Sequence, residues 1–161
     1  MRKLIFAANK KRIYFTSNRL LLESGSLADI RERIKGQDTD MTGQILVIDD
    51  DEKILRILNL LIKSFGYSPV LVDDPVKGLE LLRENPPSLI LLDLMMSPMN
   101  GLQFLDERRK ISGALKVPVV ILSAWRLNNE ELAPYADSIA EVVVKPVEPA
   151  RLKEVIARYT G

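Results

Sequence analysis

Five short apolar runs, separated by stretches with a repeat of three to four residues, constrain the fold of this chain more than any other feature. The runs are residues 45–48, 70–72, 89–92, 117–122 and 142–144. They are continuous rather than alternating, which suits strands covered on both faces. Between the first two, Ile54, Leu55, Leu58, Leu61, Ile62 and Phe65 share one helical face, and Gly66 stops that helix. Pro75 opens a second helix at its first turn, with Val76, Leu79 and Leu82 inward. Residues 102–110 predict a third helix. Residues 129–132 start a fourth that Pro134 cuts short. Leu152, Val155, Ile156 and Tyr159 mark a fifth, ending at Gly161. Strand and helix alternating five times predict an α/β fold: a doubly wound, five-stranded parallel sheet with right-handed crossovers.

In such sheets ligands sit at the carboxyl ends of the strands. The first run ends in Asp49, Asp50 and Asp51, the third in Asp93, the fourth in Ser123 and the fifth in Lys145 before Pro146. Three adjacent carboxylates repel one another, and a divalent cation gives a reason for them. The chain has no cysteine and no histidine. That excludes disulfides, thiolate sites and imidazole catalysis, and it leaves oxygen ligands for magnesium, manganese or calcium. No apolar run approaches the roughly 20 residues that span a bilayer.

The order of these pieces resembles the receiver domain of bacterial response regulators, the CheY-like phosphoacceptor half of two-component signalling. The matching residues are Ile45 to Asp51, Leu89 to Met96, Met99-Asn100-Gly101, Val120 to Ala124, and Val144-Lys145-Pro146. Asp93 follows Asp50 by 43 residues, Ser123 follows Asp93 by 30, and Lys145 follows Ser123 by 22. Each piece alone is weak; five in order are specific, and they cover about residues 43–161. The resemblance implies a flavodoxin-like strand order of 2-1-3-4-5 and makes Asp93 the phosphoacceptor. It implies Mg2+ held by Asp49, Asp50, Asp93 and the main-chain carbonyl of Met95. Lys145 would neutralise a phosphoryl oxygen, and Ser123 would donate to the phosphoryl group. The Lys145–Pro146 bond is cis in much of the family, which would aim the lysine.

Plainer readings stand beside these. Asp51 reads best as a helix cap. Asp93 alone reads as a loop acid, Ser123 as a turn hydroxyl and Lys145 as a surface charge. Met95, Met96 and Met99 read as packing. Three departures from the family also appear. Its usual proline four residues past the acceptor is Ser97 here, with Pro98 one later, which puts the Met95 carbonyl in question. Its switch aromatic is Val142. The fourth helix, normally part of the partner-binding face, is short. Met95 and Trp125 flank the acceptor with apolar groups and suggest a long-lived phosphorylated form.

Residues 1–40 carry nine Lys and Arg against five Asp and Glu, a net +4, whereas residues 41–161 carry 14 against 17, a net −3. With the polar stretch 36–40, this divides the chain into a basic extension, residues 1–42, and a receiver, residues 43–161. In the extension, Leu4-Ile5-Phe6 and Ile13-Tyr14-Phe15 read as strands, and Ser26 to Gly36 as a capped helix. The apolar patch is too short for a signal peptide and is followed by Asn9-Lys10-Lys11-Arg12. The extension reads either as an appended segment or, with Met41 as a start, as an artefact of start-site choice.

The expected function is a stand-alone, cytoplasmic phosphoacceptor. A histidine kinase or histidine phosphotransfer protein would phosphorylate it, and it would signal through an unidentified downstream protein, without direct DNA binding or membrane contact. It would not be an enzyme in the turnover sense. The alternative is a phosphorylation-independent interaction module. A flavodoxin-like cofactor binder needs a phosphate cradle where three acids stand. An aspartate-nucleophile phosphatase usually needs a second acid where Met95 stands.

Overall fold

The computed structural model describes residues 3–8, 11–16, 19–22, 43–124 and 129–161. The first three segments form an antiparallel sheet, β1 (Lys3–Ala8), β2 (Lys11–Thr16) and β3 (Arg19–Leu22), in the order β1-β2-β3. The first two contain the strands expected at Leu4 to Phe6 and Ile13 to Phe15; β3 was not anticipated. The helix expected from Ser26 lies outside the described residues.

The second sheet has five parallel strands: β4 (Gln44–Ile48), β5 (Ser68–Val72), β6 (Leu89–Asp93), β7 (Val119–Ser123) and β8 (Glu141–Val144). Their order is β5-β4-β6-β7-β8, the expected 2-1-3-4-5. Successive side chains of a strand point to opposite faces. On one face Leu46, Ile48, Ile90, Leu92, Val119 and Ile121 pack with α2 (Pro75–Glu84) and α3 (Gly101–Arg109). On the other, Ile45, Val47, Leu89, Leu91, Val120 and Leu122 pack with α1 (Glu52–Ser64) and α5 (Pro149–Thr160). Both faces are covered, so the central strands are apolar along Ile45–Ile48, Leu89–Leu92 and Val119–Leu122, with polar residues only at their ends.

Most bounds lie within one residue of those read in the sequence, and two strand starts differ because of proline. The fourth run begins at Val117, but Pro118 has no N–H, and β7 starts at Val119. On the edge strand β5, Pro69 is tolerated because one side of the strand is unpaired, so the strand begins at Ser68.

Local chemistry sets the helix ends. The Asp51 carboxylate accepts from the Lys53 N–H (2.8 Å) and caps α1. Gly66, with φ of +91°, turns the chain after it. Asp74 caps α2, with Pro75 in the first turn. Asn100 and Gln103 make a reciprocal capping box at α3. The fourth helix, α4 (Asn129–Leu132), is a single turn, followed by a 3-10 turn over Ala133–Tyr135 that contains Pro134. The edge strand β8 is incompletely covered: Val142 and Val144 are exposed while Val143 is buried. Among the described residues, no helix is long and apolar enough to cross a membrane.

At the end of the sheet opposite the acids, Arg108 is 1% exposed. Its guanidinium donates to the carbonyls of Ser138 (2.9 Å), Ala114 (2.9 Å) and Val117, while its Nε is buried without a partner. Burial pushes its pKa down to about 10, with Asp137 pulling the other way, so it remains charged at neutral pH. Next to it, Arg109 pairs with Asp137 (2.7 Å) and lies over the Tyr135 ring, 5.1 Å from its centroid. The two arginines fasten the end of α3 to the segment leading into β8. Arg108→Met takes a donor from three carbonyls, of which Ala114 keeps the Val117 N–H (3.1 Å), at about 1–3 kcal/mol for each left unpaired where water cannot reach. Urea unfolding is expected to show a loss of about 3–5 kcal/mol.

Candidate functional site

Four strand ends define one rim. Asp49 directly follows β4, Asp93 closes β6, Ser123 closes β7, and Lys145 directly follows β8. Parallel pairing places Ile48 beside Leu92 and Ser123 beside Val144, which brings these ends level. The Lys145 ammonium donates to Asp49 Oδ2 (2.6 Å) and to Asp93 Oδ1 (2.7 Å). Its main-chain N–H donates to the Ser123 carbonyl (2.7 Å), and the Lys145–Pro146 bond is cis. Asp49 is 3% exposed, Asp93 6%, and Ser123 is fully buried.

The second oxygen of each buried carboxylate has a main-chain donor. Asp49 Oδ1 accepts from the Asp51 N–H (2.9 Å), and Asp93 Oδ2 from the Met95 N–H (2.7 Å). Asp50 is exposed and accepts at Oδ2 from the Ser97 N–H (3.3 Å). Reading the sequence did not single out Ser97 as a partner. The signal was present, because a proline at 97 would have had no N–H to offer; Pro98, one place later, leaves position 97 a donor. The Ser97–Pro98 bond is also cis. Asp49, Asp93 and Lys145 therefore stand together, with Ser123 adjoining through its carbonyl, while Asp50 faces the loop after β6. Asp51 serves as the helix cap. Trp125 lies outside the described residues.

Two carboxylates share one ammonium, so the buried pair keeps an excess negative charge. Burial raises the Asp49 pKa and outweighs the lowering by Lys145 and the Asp51 N–H. For Lys145, burial acts to lower the pKa, but the hydrogen bonds and charges of Asp49 and Asp93 prevail and raise it. The lysine stays charged, while Asp49 carries its charge at a cost.

Among the described residues, no three acidic side chains converge on one point as a ready cation site. The donor chemistry nevertheless fits magnesium. All candidate ligands are oxygens, two buried carboxylates exceed the one ammonium between them, and magnesium takes few protein ligands and keeps several waters. Asp50 would join Asp49 and Asp93 by giving up the Ser97 N–H.

A model of the response regulator receiver domain family matches residues 45–157. This chain belongs to that family. It is 32% identical over 118 residues to the DNA-binding response regulator MtrA of Mycolicibacterium paratuberculosis; the match covers 73% of this chain and 50% of MtrA. The chain thus spans about half the length of the curated relatives it matches. The N-terminal domain of a response regulator receiver protein from Methanoculleus marisnigri superposes with a TM-score of 0.62 at 33% identity, covering 72% of this chain and 94% of that one. The receiver domain of the sensor histidine kinase PA1611 from Pseudomonas aeruginosa, solved with a magnesium ion in its active site cleft, has the same fold. Its TM-score is 0.67 at 22% identity, covering 74% of this chain and 98% of that one.

The receiver's raised Asp49 pKa has a definite sign. A carboxyl with a folded pKa above its unfolded one contributes most to stability at low pH and loses that contribution as pH rises through the folded value. Without divalent cations, Asp49→Asn is expected to be more stable than the unsubstituted chain at pH 7. The difference should shrink as pH falls through the raised Asp49 pKa. Urea unfolding across that range checks both parts.

Proposed function

We propose that this receiver accepts a phosphoryl group on Asp93 from a histidine kinase or histidine phosphotransfer protein. The observation that carries the reading is the Lys145 ammonium held between two buried carboxylates at the strand ends. In the transfer, an Asp93 carboxylate oxygen attacks phosphorus in line. The new P–O bond forms as the P–N bond to the donor histidine breaks, and the electron pair leaves with the imidazole, which takes up a proton. Main-chain and lysine donors on the two Asp93 oxygens fix the carboxylate before attack. Lys145 exchanges a carboxylate contact for a phosphoryl oxygen and neutralises it as a point charge. Ser123, at the end of the neighbouring strand, would donate to the phosphoryl group.

Mg2+ held by Asp49, Asp50, Asp93 and the Met95 carbonyl would supply positive charge against the phosphoryl oxygens. The magnesium in the PA1611 receiver supports this choice of ion. Catalysis extends only to the protein's own phosphorylation and dephosphorylation. Output runs through contact with another protein, in the cytoplasm. We assign the receiver to residues 43–161, with 1–42 as a separate extension. A chain starting at Met41 should accept phosphate as the full chain does.

A second reading, a phosphorylation-independent interaction module, draws on Val142. It is 36% exposed at the position of the family's switch aromatic, and its side chain has no ring to reorient. One measurement separates the two. Incubation with acetyl phosphate and Mg2+ should add the mass of one phosphoryl group, and the gain should vanish in Asp93→Asn or with excess chelator. An unchanged mass at saturating donor and Mg2+ would favour the module.

The Met95 side chain is 62% exposed and follows the acceptor by two residues. An apolar group at this place would hinder the water that hydrolyses the acyl phosphate. Met95→Asn is expected to speed phosphate loss severalfold, read by intact mass after donor removal; an unchanged lifetime would remove Met95 from that role.

A further inference from the structure

Gly101 opens α3, and its φ lies outside the left-handed region, so backbone conformation does not require glycine there. Helix propensity favours alanine at such a position. Space is the constraint. A Cβ at 101 would stand 2.5 Å from the Asp93 carbonyl oxygen, 2.9 Å from Leu94 Cα and 2.7 Å from Leu94 Cδ2. Two of these are main-chain atoms of the acceptor residue and its neighbour. The Gly101 N–H also donates to the Leu94 carbonyl (3.0 Å), so the start of α3 is bonded to the acceptor loop.

The helix end is poorly able to yield. The capping box fixes Asn100 against Gln103, and Phe104 and Leu105 are fully buried one turn on. A side chain at 101 would therefore displace the acceptor loop. That backbone carries the Asp93 carboxylate and the Met95 N–H bonded to it, whereas Lys145 comes from a different strand and would not follow.

We propose that Gly101 is a positioning residue for phosphoryl acceptance: its bare Cα lets α3 seat the acceptor backbone and set the carboxylate against Lys145. This rests on Asp93 being the acceptor. The structure supplies a matched control in Gly78 on α2. A Cβ there would meet Ile48 Cδ1 at 2.8 Å and Phe104 Cε2 at 3.4 Å, side-chain atoms in the core and none in the acceptor loop.

The test compares Gly101→Ala and Gly78→Ala at a temperature where both are folded by circular dichroism. Acetyl phosphate uptake with Mg2+ is followed by intact mass, and the Met95 amide by nitrogen–proton NMR. Gly101→Ala should slow uptake by about tenfold or more, since small misplacements of reacting groups are costly, while Gly78→Ala stays within about threefold. The Met95 amide should shift in Gly101→Ala only. Uptake within about threefold of the unsubstituted rate in Gly101→Ala, or equal slowing in both variants, overturns the proposal. If Gly101→Ala does not fold, Leu94→Ala with Gly101→Ala removes the Cδ2 contact and keeps the two main-chain ones. Slowing relative to Leu94→Ala alone then supports the proposal, and recovery to that rate overturns it. If the unsubstituted chain takes up no phosphoryl group, the Asp93 assignment fails by itself. The Met95 amide then decides whether Gly101 seats the loop: a shift supports this and an unmoved resonance overturns it.

Discussion

One ammonium between two buried carboxylates organises this receiver. Lys145 reaches Asp49 and Asp93 from the far side of β7, and it can do so only if β4, β6, β7 and β8 hold their register. That register comes from two apolar layers, one under α1 and α5, the other under α2 and α3. The helices thus act on the site at a distance, by fixing how far each strand end projects. The arrangement stops short of electrostatic balance. Burying two acids against one base leaves charge that water no longer screens, and the raised Asp49 pKa is its trace. Such a rim is better suited to receiving a further cation than to standing alone.

The loop after β6 links this rim to the rest of the fold. Its base is bonded to the start of α3 through Leu94 and Gly101, and its middle to Asp50 through Ser97. Asp50, the loop and the start of α3 are therefore linked by hydrogen bonds from main-chain N–H groups. These contacts join Asp50 to the start of α3 without involving position 142, where valine stands.

How much of this was legible in the sequence follows from the physics of each part. Strands covered on both faces must be apolar throughout, so β4, β6 and β7 stood out as runs. The strand-end rule then points to Asp49, Asp50, Asp51, Asp93, Ser123 and Lys145 from the sequence. Half-covered β5 was shortened in that reading, because Ser68 and Pro69 look like a turn when the edge position is unknown. The Asp50–Ser97 contact joins residues 47 apart and one main-chain N–H, and no side-chain pattern encodes it. Gly101 was visible as part of a motif, but its reason, a 2.5 Å approach to another segment's carbonyl, exists only in three dimensions. Arg108 was missed because arginine at the end of a helix ordinarily reads as a surface charge.

That arginine has a consequence for how the molecule opens. An edge strand such as β8 is ordinarily among the first parts to fray. Here the carbonyl of Ser138, just ahead of β8, is one of three acceptors for Arg108, and they lie 6, 9 and 30 residues away along the chain. Peeling off the edge would take the Ser138 carbonyl from Arg108 and leave a guanidinium N–H without its acceptor, which adds a cost to a half-detached β8. The sheet should therefore lose its last strand together with the corner around α3, as one cooperative unit, keeping the lysine that β8 delivers in place until that corner gives way.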